Sequence, residues 1–371
     1  MLESALGIRL LLWTGQTVPR PQPALLDPLS EVEVVNDAES GDGFRLTFRV
    51  TKDALGLYDV LDAGTLDPMT RVIVGVVLGV VPEVLIDGVV TRHHVIPGGR
   101  PGEATFAVDG RDLTPKLDLQ ERDEAHDNQP DSVIVTKLLM RHPELGLIPQ
   151  VAATTDVPIE VQRIPRQNGT DLDFIRDAAS RNGFEFYLTP VTVGVNRAYW
   201  GPTVRAGVPQ PALTTGILGF ENVTSLTFGN DALAPVGASG SVVEPLTRTT
   251  IPIPALPPLR LPPLSAQPAT ALRSTRLRQV AGAGPLQAAL ASAAAATRAP
   301  EPITGNGQLD TMRYGAVLRA RGLVGVRGAG RTYDGTYYVR TVTHHVKKGA
   351  YTQSFSLSRD GTGSLLPAVR P

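Results

Sequence analysis

The feature that most limits what this chain can become is the run Val72-Ile-Val-Gly-Val-Val-Leu-Gly-Val-Val81. It is the longest apolar stretch, yet it falls well short of the ~20 residues a membrane-spanning helix needs. Branched valines and one isoleucine dominate it, and glycine interrupts it. Such side chains lose freedom in a helix and pack well on a pleated surface. The run therefore fits a buried strand pair, residues 84–91 read as a strand that follows, and Ile86-Asp87-Gly88-Val89 carries a turn signal. Nearby, Phe44, Leu46, Phe48 and Val50 alternate with Arg45, Thr47 and Arg49, the period of a half-buried strand. Residues 104–108 read as another strand, closed by Asp109-Gly110. Strands so closely spaced predict a barrel or sandwich over residues 31–120.

Beyond this region the pattern changes. Residues 118–131 are polar and acidic, with Asp118, Glu121, Asp123, Glu124, Asp127 and Asp131, and read as a solvated loop. A helix begins near Asp131 or Ser132, draws its apolar surface from Val133, Val135, Leu138 and Leu139, and stops at His142-Pro143. The clearest local signal spans residues 167–188. Thr170 followed by Asp173 approximates a capping box. Leu172, Ile175 and Ala179 share a helical face with Phe174 and Ala178 beside it, Asn182-Gly183 ends the helix, and Phe184, Phe186 and Leu188 alternate as a strand. Residues 244–268 hold many prolines and read as an extended linker or strap. Residues 283–298 are an alanine-rich helix. Residues 315–359 return to strands, with turns at Tyr333-Asp334-Gly335 and Lys348-Gly349.

The 371 residues suffice for two or three domains. Charged residues are 19% of the chain and the net charge is −1, which argues against a surface that holds nucleic acid by neutralising phosphates. The chain has no cysteine, excluding disulfides, thiolate zinc sites and a cysteine nucleophile. The start of the chain lacks the basic, apolar, small-residue order of a signal peptide, so synthesis in the cytoplasm with no membrane anchor is expected. His93-His94 and His344-His345 lie in strand-like sequence, where neighbours point to opposite faces and cannot share one ion; one ring of each pair is expected inside and one wet. Gly325-Val-Arg-Gly-Ala-Gly330 is glycine-rich but opens no helix, so a dinucleotide loop is not expected. Asp171 and Asp173 are read as meeting the positive end of a helix dipole rather than as an acid/base pair. No catalytic residue, cofactor or metal is expected.

Two segments together resemble a known family. The first is Gln167, Thr170-Asp171-Leu172-Asp173-Phe174-Ile175, Ala178 and Asn182-Gly183-Phe184; the second is Gly315, Val326, Gly330-Arg-Thr-Tyr-Asp-Gly335-Thr-Tyr337-Tyr-Val339, His344, Tyr351, Phe355 and Arg359. They are similar to motifs of baseplate hub proteins from contractile tails, a family that includes the late-control D proteins of Mu-like phages and the hub portion of type VI spike proteins. Residues 131–147 match the short helix that precedes the first motif. The resemblance covers residues 31–240 and 270–360, in order.

It implies an α+β, mainly β fold: two tube-like β barrels with small helical insertions, three chains forming a pseudo-six-fold ring. The domains would be a first barrel in 1–112, a helix-strand connecting domain in 113–243, a proline-rich linker in 244–270, and a helix plus C-terminal barrel strands in 271–371. Asp171, Phe174, Ile175, Gly183, Phe184, Phe186, Gly335, Tyr337, Val339, His344 and Tyr351 would be structural residues. The implied role is a structural adaptor between a hexameric inner tube and a trimeric spike, in a phage tail or injection particle, with wedge proteins as further partners. The sequence ends soon after its last strand, so the spike is expected on a separate chain. Three other readings stay open: the distal tail hub of a non-contractile phage, a penetration-associated glycan hydrolase, and a carbohydrate-binding barrel.

Overall fold

The computed structural model describes residues 7–16, 18–79, 81–99, 103–154, 165–217, 219–243, 249–258, 260–277 and 285–365. The two chain ends used above, and residues 244–248 and 259 of the proline-rich stretch, lie outside that set. The fold is mainly β with few helices. No described helix is long and apolar enough to cross a membrane.

The N-terminal lobe is built from β1 (Ile8–Gly15), β2 (Arg20–Pro21), β3 (Leu29–Asp37), β4 (Gly43–Val50), β5 (Arg71–Leu78), β6 (Val81–Ile96) and β7 (Ala104–Asp112). The valine run becomes β5, buried at every position from Arg71 to Val77 because side chains cover both faces. β5 pairs antiparallel with β6, and the chain turns at Gly79, where φ is 75°. The turn expected at Asp87-Gly88 is not there: both residues lie inside β6, opposite Ile73 and Val72. The strand end expected at Asp109-Gly110 is likewise absent, since β7 continues to Asp112. The cause is the same in both. A Cβ on Gly88 would stand 2.0 Å from the Arg111 carbonyl oxygen, and one on Gly110 would stand 2.1 Å from the Phe44 ring. These glycines allow close approach within a sheet rather than a reversal. Leu10, Leu46, Phe48, Val74 and Phe106 lie in the core of this lobe.

The middle of the chain holds α1 (Thr114–Leu117), β8 (Glu121–Ala125), α2 (Asp131–Met140), β9 (Leu147–Val151), β10 (Arg166–Thr170), α3 (Asp171–Asn182), β11 (Glu185–Thr192) and β12 (Val195–Gly201). The acidic stretch contains a strand instead of being loop throughout: β8 pairs antiparallel with β10. α2 buries Ile134, Val135, Leu138 and Leu139, while Val133 is half exposed. β11, β12 and β9 make a small sheet on which α2 and α3 close a second core around Trp200.

The remainder comprises β13 (Gln210–Thr214), β14 (Ser225–Asn230), β15 (Val236–Val243), β16 (Thr250–Ile253), β17 (Ser265–Pro268), β18 (Arg273–Arg276), α4 (Pro285–Arg298), β19 (Ile303–Asp310), α5 (Thr311–Tyr314), β20 (Leu323–Arg327), β21 (Gly335–Lys347), β22 (Ala350–Arg359) and β23 (Gly361–Ser364). β14 and β19 pair as neighbours, Asn230 opposite Ile303. Residues 231–302 are thus an insertion between two adjacent strands. Within it β16, β15 and β18 form a small sheet covered by α4. The proline-rich stretch is a strap on its own chain: β17 pairs with β23, and Leu264 packs with Leu323 and Tyr338.

One 13-stranded sheet runs through the molecule, in the order β14-β19-β22-β21-β3-β4-β7-β6-β5-β1-β2, with β13 and β20 joined at β21. The two closed cylinders expected from the resemblance are not found as closed rings of strand pairing among the described residues. The path is open because its end strands, β14 and β2, do not pair with each other among those residues, and the β21–β22 hairpin in its middle belongs to both lobes. β21 pairs with β20 over Gly335 to Tyr338 and with β3 over Thr341 to Lys347, with a register shift between Val339 and Thr341. Accordingly Val346 and Tyr351 enter the N-terminal core, and Tyr337, Val339, Val342, Phe355 and Leu357 enter a third, C-terminal core.

Gly110→Ala should destabilise the protein by about 1–3 kcal/mol in urea denaturation, the usual cost of overpacking. Gly99→Ala is the control for glycine loss as such, since its φ is not positive and a Cβ there would meet only a Glu103 side-chain oxygen at 3.8 Å. If the Gly110 variant proved as stable as wild type, the Phe44 ring would not be packed as described.

Candidate functional site

The N-terminus of α3 gathers the densest polar cluster in the middle of the chain. Thr170 caps the helix: its hydroxyl accepts from the Asp173 N–H at 3.1 Å, and the Asp173 carboxylate accepts from the Thr170 N–H at 3.2 Å, completing the box the sequence suggested. The next residue, Asp171, is 2% exposed. Its carboxylate accepts from Gln167 Nε2 at 2.8 Å, His142 Nε2 at 2.9 Å and Arg141 Nη1 at 3.3 Å. Arg141 also pairs with Glu124, holding that carboxyl below its usual range. Asp171, Arg141 and His142 border a cavity of about 440 Å³, lined also by Arg71, Arg122 and Glu144. Of the two lining carboxylates, Asp171 has both oxygens engaged. The arrangement anchors a helix; it does not present a free acid/base pair.

Buried arginines make the joints between modules. Arg71 forms a two-pronged pair with Asp87, both bonds 2.7 Å, and donates onward to the carbonyls of Leu145 and Gly194 at 3.1 Å. Asn196 Nδ2 donates to Asp87 at 2.8 Å. The pair therefore locks β5 and β6 to the small sheet. Arg321 reaches Asp42 at 2.7 Å and lies over the Tyr187 ring at 4.5 Å. Asp112, buried beside Asp42, is pushed up to about 6 by burial and by that neighbour. Arg205 pairs with Glu301 at 2.8 Å, in a cluster that also draws Glu39 from the N-terminal lobe and Arg260 from the strap.

The sequence-predicted residues fall into two groups. Phe174 and Ile175 are buried in the middle core, and the Ile175 carbonyl accepts from the Trp200 indole at 3.1 Å. Phe184 meets Trp200 edge-on at 4.8 Å, Phe186 packs partly buried beside it, and Gly183 ends the helix with φ 68°. The others lie on the C-terminal hairpin. Gly335 has φ 136°, and a Cβ there would stand 2.7 Å from Arg359 Nη1. Arg359 stacks over Tyr337 at 4.4 Å, and Val339 is fully buried. His344 is enclosed: Nε2 donates to Asn36 Oδ1 at 3.0 Å and Nδ1 accepts from the Tyr351 hydroxyl at 2.8 Å. Burial pushes its pKa down to about 3 and the Tyr351 phenol up. His345 is only half-buried, and His93 packs on Phe106 while His94 is exposed. The two groups do not meet in one cleft. Sequence reading missed Arg71, Asp87, Asn196, Arg205 and Arg321; a buried ion pair carries no local pattern.

No family model matches the sequence, and no curated protein matches it significantly. Solved structures do match in fold. A tail protein from Neisseria meningitidis MC58 superposes with a TM-score of 0.64 at 13% identity, covering 95% of this chain and 97% of that one. The 43 kDa tail protein of prophage MuSo2 from Shewanella oneidensis gives 0.61 at 13% identity, over 96% and 99% of the two chains. An Escherichia coli component of the type VI secretion system, described as structurally similar to T4 tail proteins, gives 0.56 at 14% identity, over 92% and 77%.

Phe174→Ala should cost about 3–5 kcal/mol in chemical denaturation, the range for an emptied aromatic site; a loss under ~1 kcal/mol would mean that α3 is not docked on this core. For His344, the folded pKa of about 3 lies below the unfolded 6.5. Its contribution is therefore complete above pH 6.5 and is lost as pH falls toward 3, by about 1.4 kcal/mol per pH unit at the steepest. The stability gap between wild type and His344→Gln should shrink across that window. A gap that stays constant from pH 7.5 to pH 4 would show that the ring takes up its proton in the fold as readily as in the unfolded chain.

Proposed function

We propose that this protein is a structural hub of a tail or tail-like injection particle, joining a hexameric inner tube to a trimeric spike. The observation that carries the proposal is the whole-length fold: two β lobes joined through one shared hairpin, matched end to end by tail proteins from two bacteria. Two such lobes per chain, in a ring of three chains, offer six similar β surfaces. That is the count a hexameric tube needs on one side while three-fold symmetry is kept on the other. The contractile reading follows from the resemblance of the helix-strand and hairpin motifs; inner tube, spike and baseplate wedge proteins would be the partners.

A purely structural role is supported by how the polar groups are spent. His142 and Arg141 are both bonded to Asp171 beside the cavity they line, and Arg71, Asp87 and Asn196 tie two modules together. A glycan hydrolase would need two carboxylates facing each other across an open cleft at a set separation. The two carboxylates at that cavity do not form such a pair, because Asp171 is committed to its helix.

The purified chain should have the solution mass of a trimer by sedimentation velocity at tens of micromolar. Class averages of the chain with its tube and spike partners should show a ring with pseudo-six-fold density on the tube side. A chain that stays monomeric alone and with both partners would end this reading.

A further inference from the structure

The described strands include two short edges whose charges are opposite and unanswered. Among the described residues β8 pairs only with β10, and no strand there takes its other edge. Its five residues alternate exposed and half-buried, and Glu121 and Asp123 are exposed. β18 pairs only with β15, and all four of its residues, Arg273-Ser-Thr-Arg276, are exposed. Among the described residues neither Glu121 nor Asp123 is ion-paired with a cation, and neither Arg273 nor Arg276 with a carboxylate; other charged strand residues, such as Arg45 with Asp109 and Lys347 with Glu31, are paired within the chain. The asymmetry extends beyond the strands. The insertion 231–302 carries six arginines against three carboxylates, in a chain whose net charge is −1. The rest of the protein is correspondingly acidic.

An open strand edge exposes backbone donors and acceptors that a second strand can satisfy. We infer that β18 of one copy adds to β8 of the next, so that the basic insertion of each chain seats on the acidic edge of its neighbour. The occupant is a second copy of this chain because the complementary strand is already present in it. Side chains alternate along a strand, so Arg273 and Arg276 point to opposite faces of the ladder. One lies on the side of Glu121 and Asp123, within cross-strand reach of both; the other adds to the attraction between the two surfaces. A contact between two different patches is head-to-tail and closes into a ring when the rotation permits. The inference thus deepens the hub reading and rests on it: it names the strands that would hold the ring together. A rival role for Arg273 and Arg276 is to guard the edge against pairing, and the experiment separates the two.

The test uses the full chain. Arg273→Glu with Arg276→Glu should weaken ring assembly at least ~10-fold at low salt, and so should Glu121→Arg with Asp123→Arg. The chain carrying all four changes should recover assembly, because complementarity returns with reversed sign. All four residues are on the surface, so circular dichroism should show unaltered folds. Because the chain has no cysteine, Asp123→Cys mixed with Ser274→Cys and, separately, with Thr275→Cys, one of which shares its face, reports the contact directly. Mildly oxidised, one of the two mixtures should give a covalent dimer that no variant gives alone. If the ring keeps its mass in both charge-reversed pairs and no mixed disulfide forms, the strand contact is wrong and the ring stands on other surfaces. If the charge-reversed pairs assemble more tightly than wild type, the arginines are guards. If the wild-type chain never assembles, the ring fails as well, and the contact with it.

Discussion

The β21–β22 hairpin is the constraint on which the rest of the molecule depends. Its proximal half supplies Tyr337, Val339, Phe355 and Leu357 to one core, and its distal half supplies Val346 and Tyr351 to another. A hairpin buried at both ends cannot move relative to either lobe without emptying a core, and an emptied aromatic site alone costs about 3–5 kcal/mol. The lobes are therefore parts of one rigid sheet. The N-terminal lobe is also completed from the far end of the chain, since β3 pairs with β21. Contacts of such sequence separation form slowly, because a long loop must close before they contribute.

Where the sheet cannot hold a module, buried arginine does. A guanidinium presents several donors in a fixed fork, so Arg71 satisfies one carboxylate and carbonyls from two neighbouring loops at once. Arg359 does the same at the end of the last hairpin, donating to Gly361, Asp334 and Thr332 while covering Tyr337. Taking such charges out of water is costly, and a buried pair often stabilises less than an apolar replacement would. Its value here is geometric: the fixed fork of Arg71 sets the angle at which β5 and β6 meet the small sheet.

How much of this was legible in the sequence follows from the range of each interaction. Thr170, Asp173 and Gly183 act within one helix, and their roles could be read directly. So could the strand alternation from Phe44 to Val50. Asp87-Gly88 and Asp109-Gly110 look like turns locally but serve distant partners, Arg71 for Asp87 and the Phe44 ring for Gly110. The acidic residues of β8 hid a strand because charge reads as loop when the pairing partner, β10, is not in view. The resemblance supplied the mainly β class with few helices, but not the open sheet that replaces the expected closed barrels, and the local pattern supplied the pieces. The shared hairpin, the open sheet and the arginine joints needed the coordinates.

An open sheet of this length raises its own problem. Exposed edges pair with whatever fits, and soluble proteins usually cover or charge them. This chain treats its edges unequally. At β1 the small strand β2 covers one end over Trp13 and Thr14, leaving the rest of that edge bare among the described residues. The strap covers β23 through β17. β8 and β18 are instead left short, exposed and oppositely charged. A chain guarding only against aggregation could give every edge the same sign, so that copies repel. Under the contact inferred above, opposite signs on separate modules would make one copy complementary to another in a single orientation, as an assembly of fixed number requires.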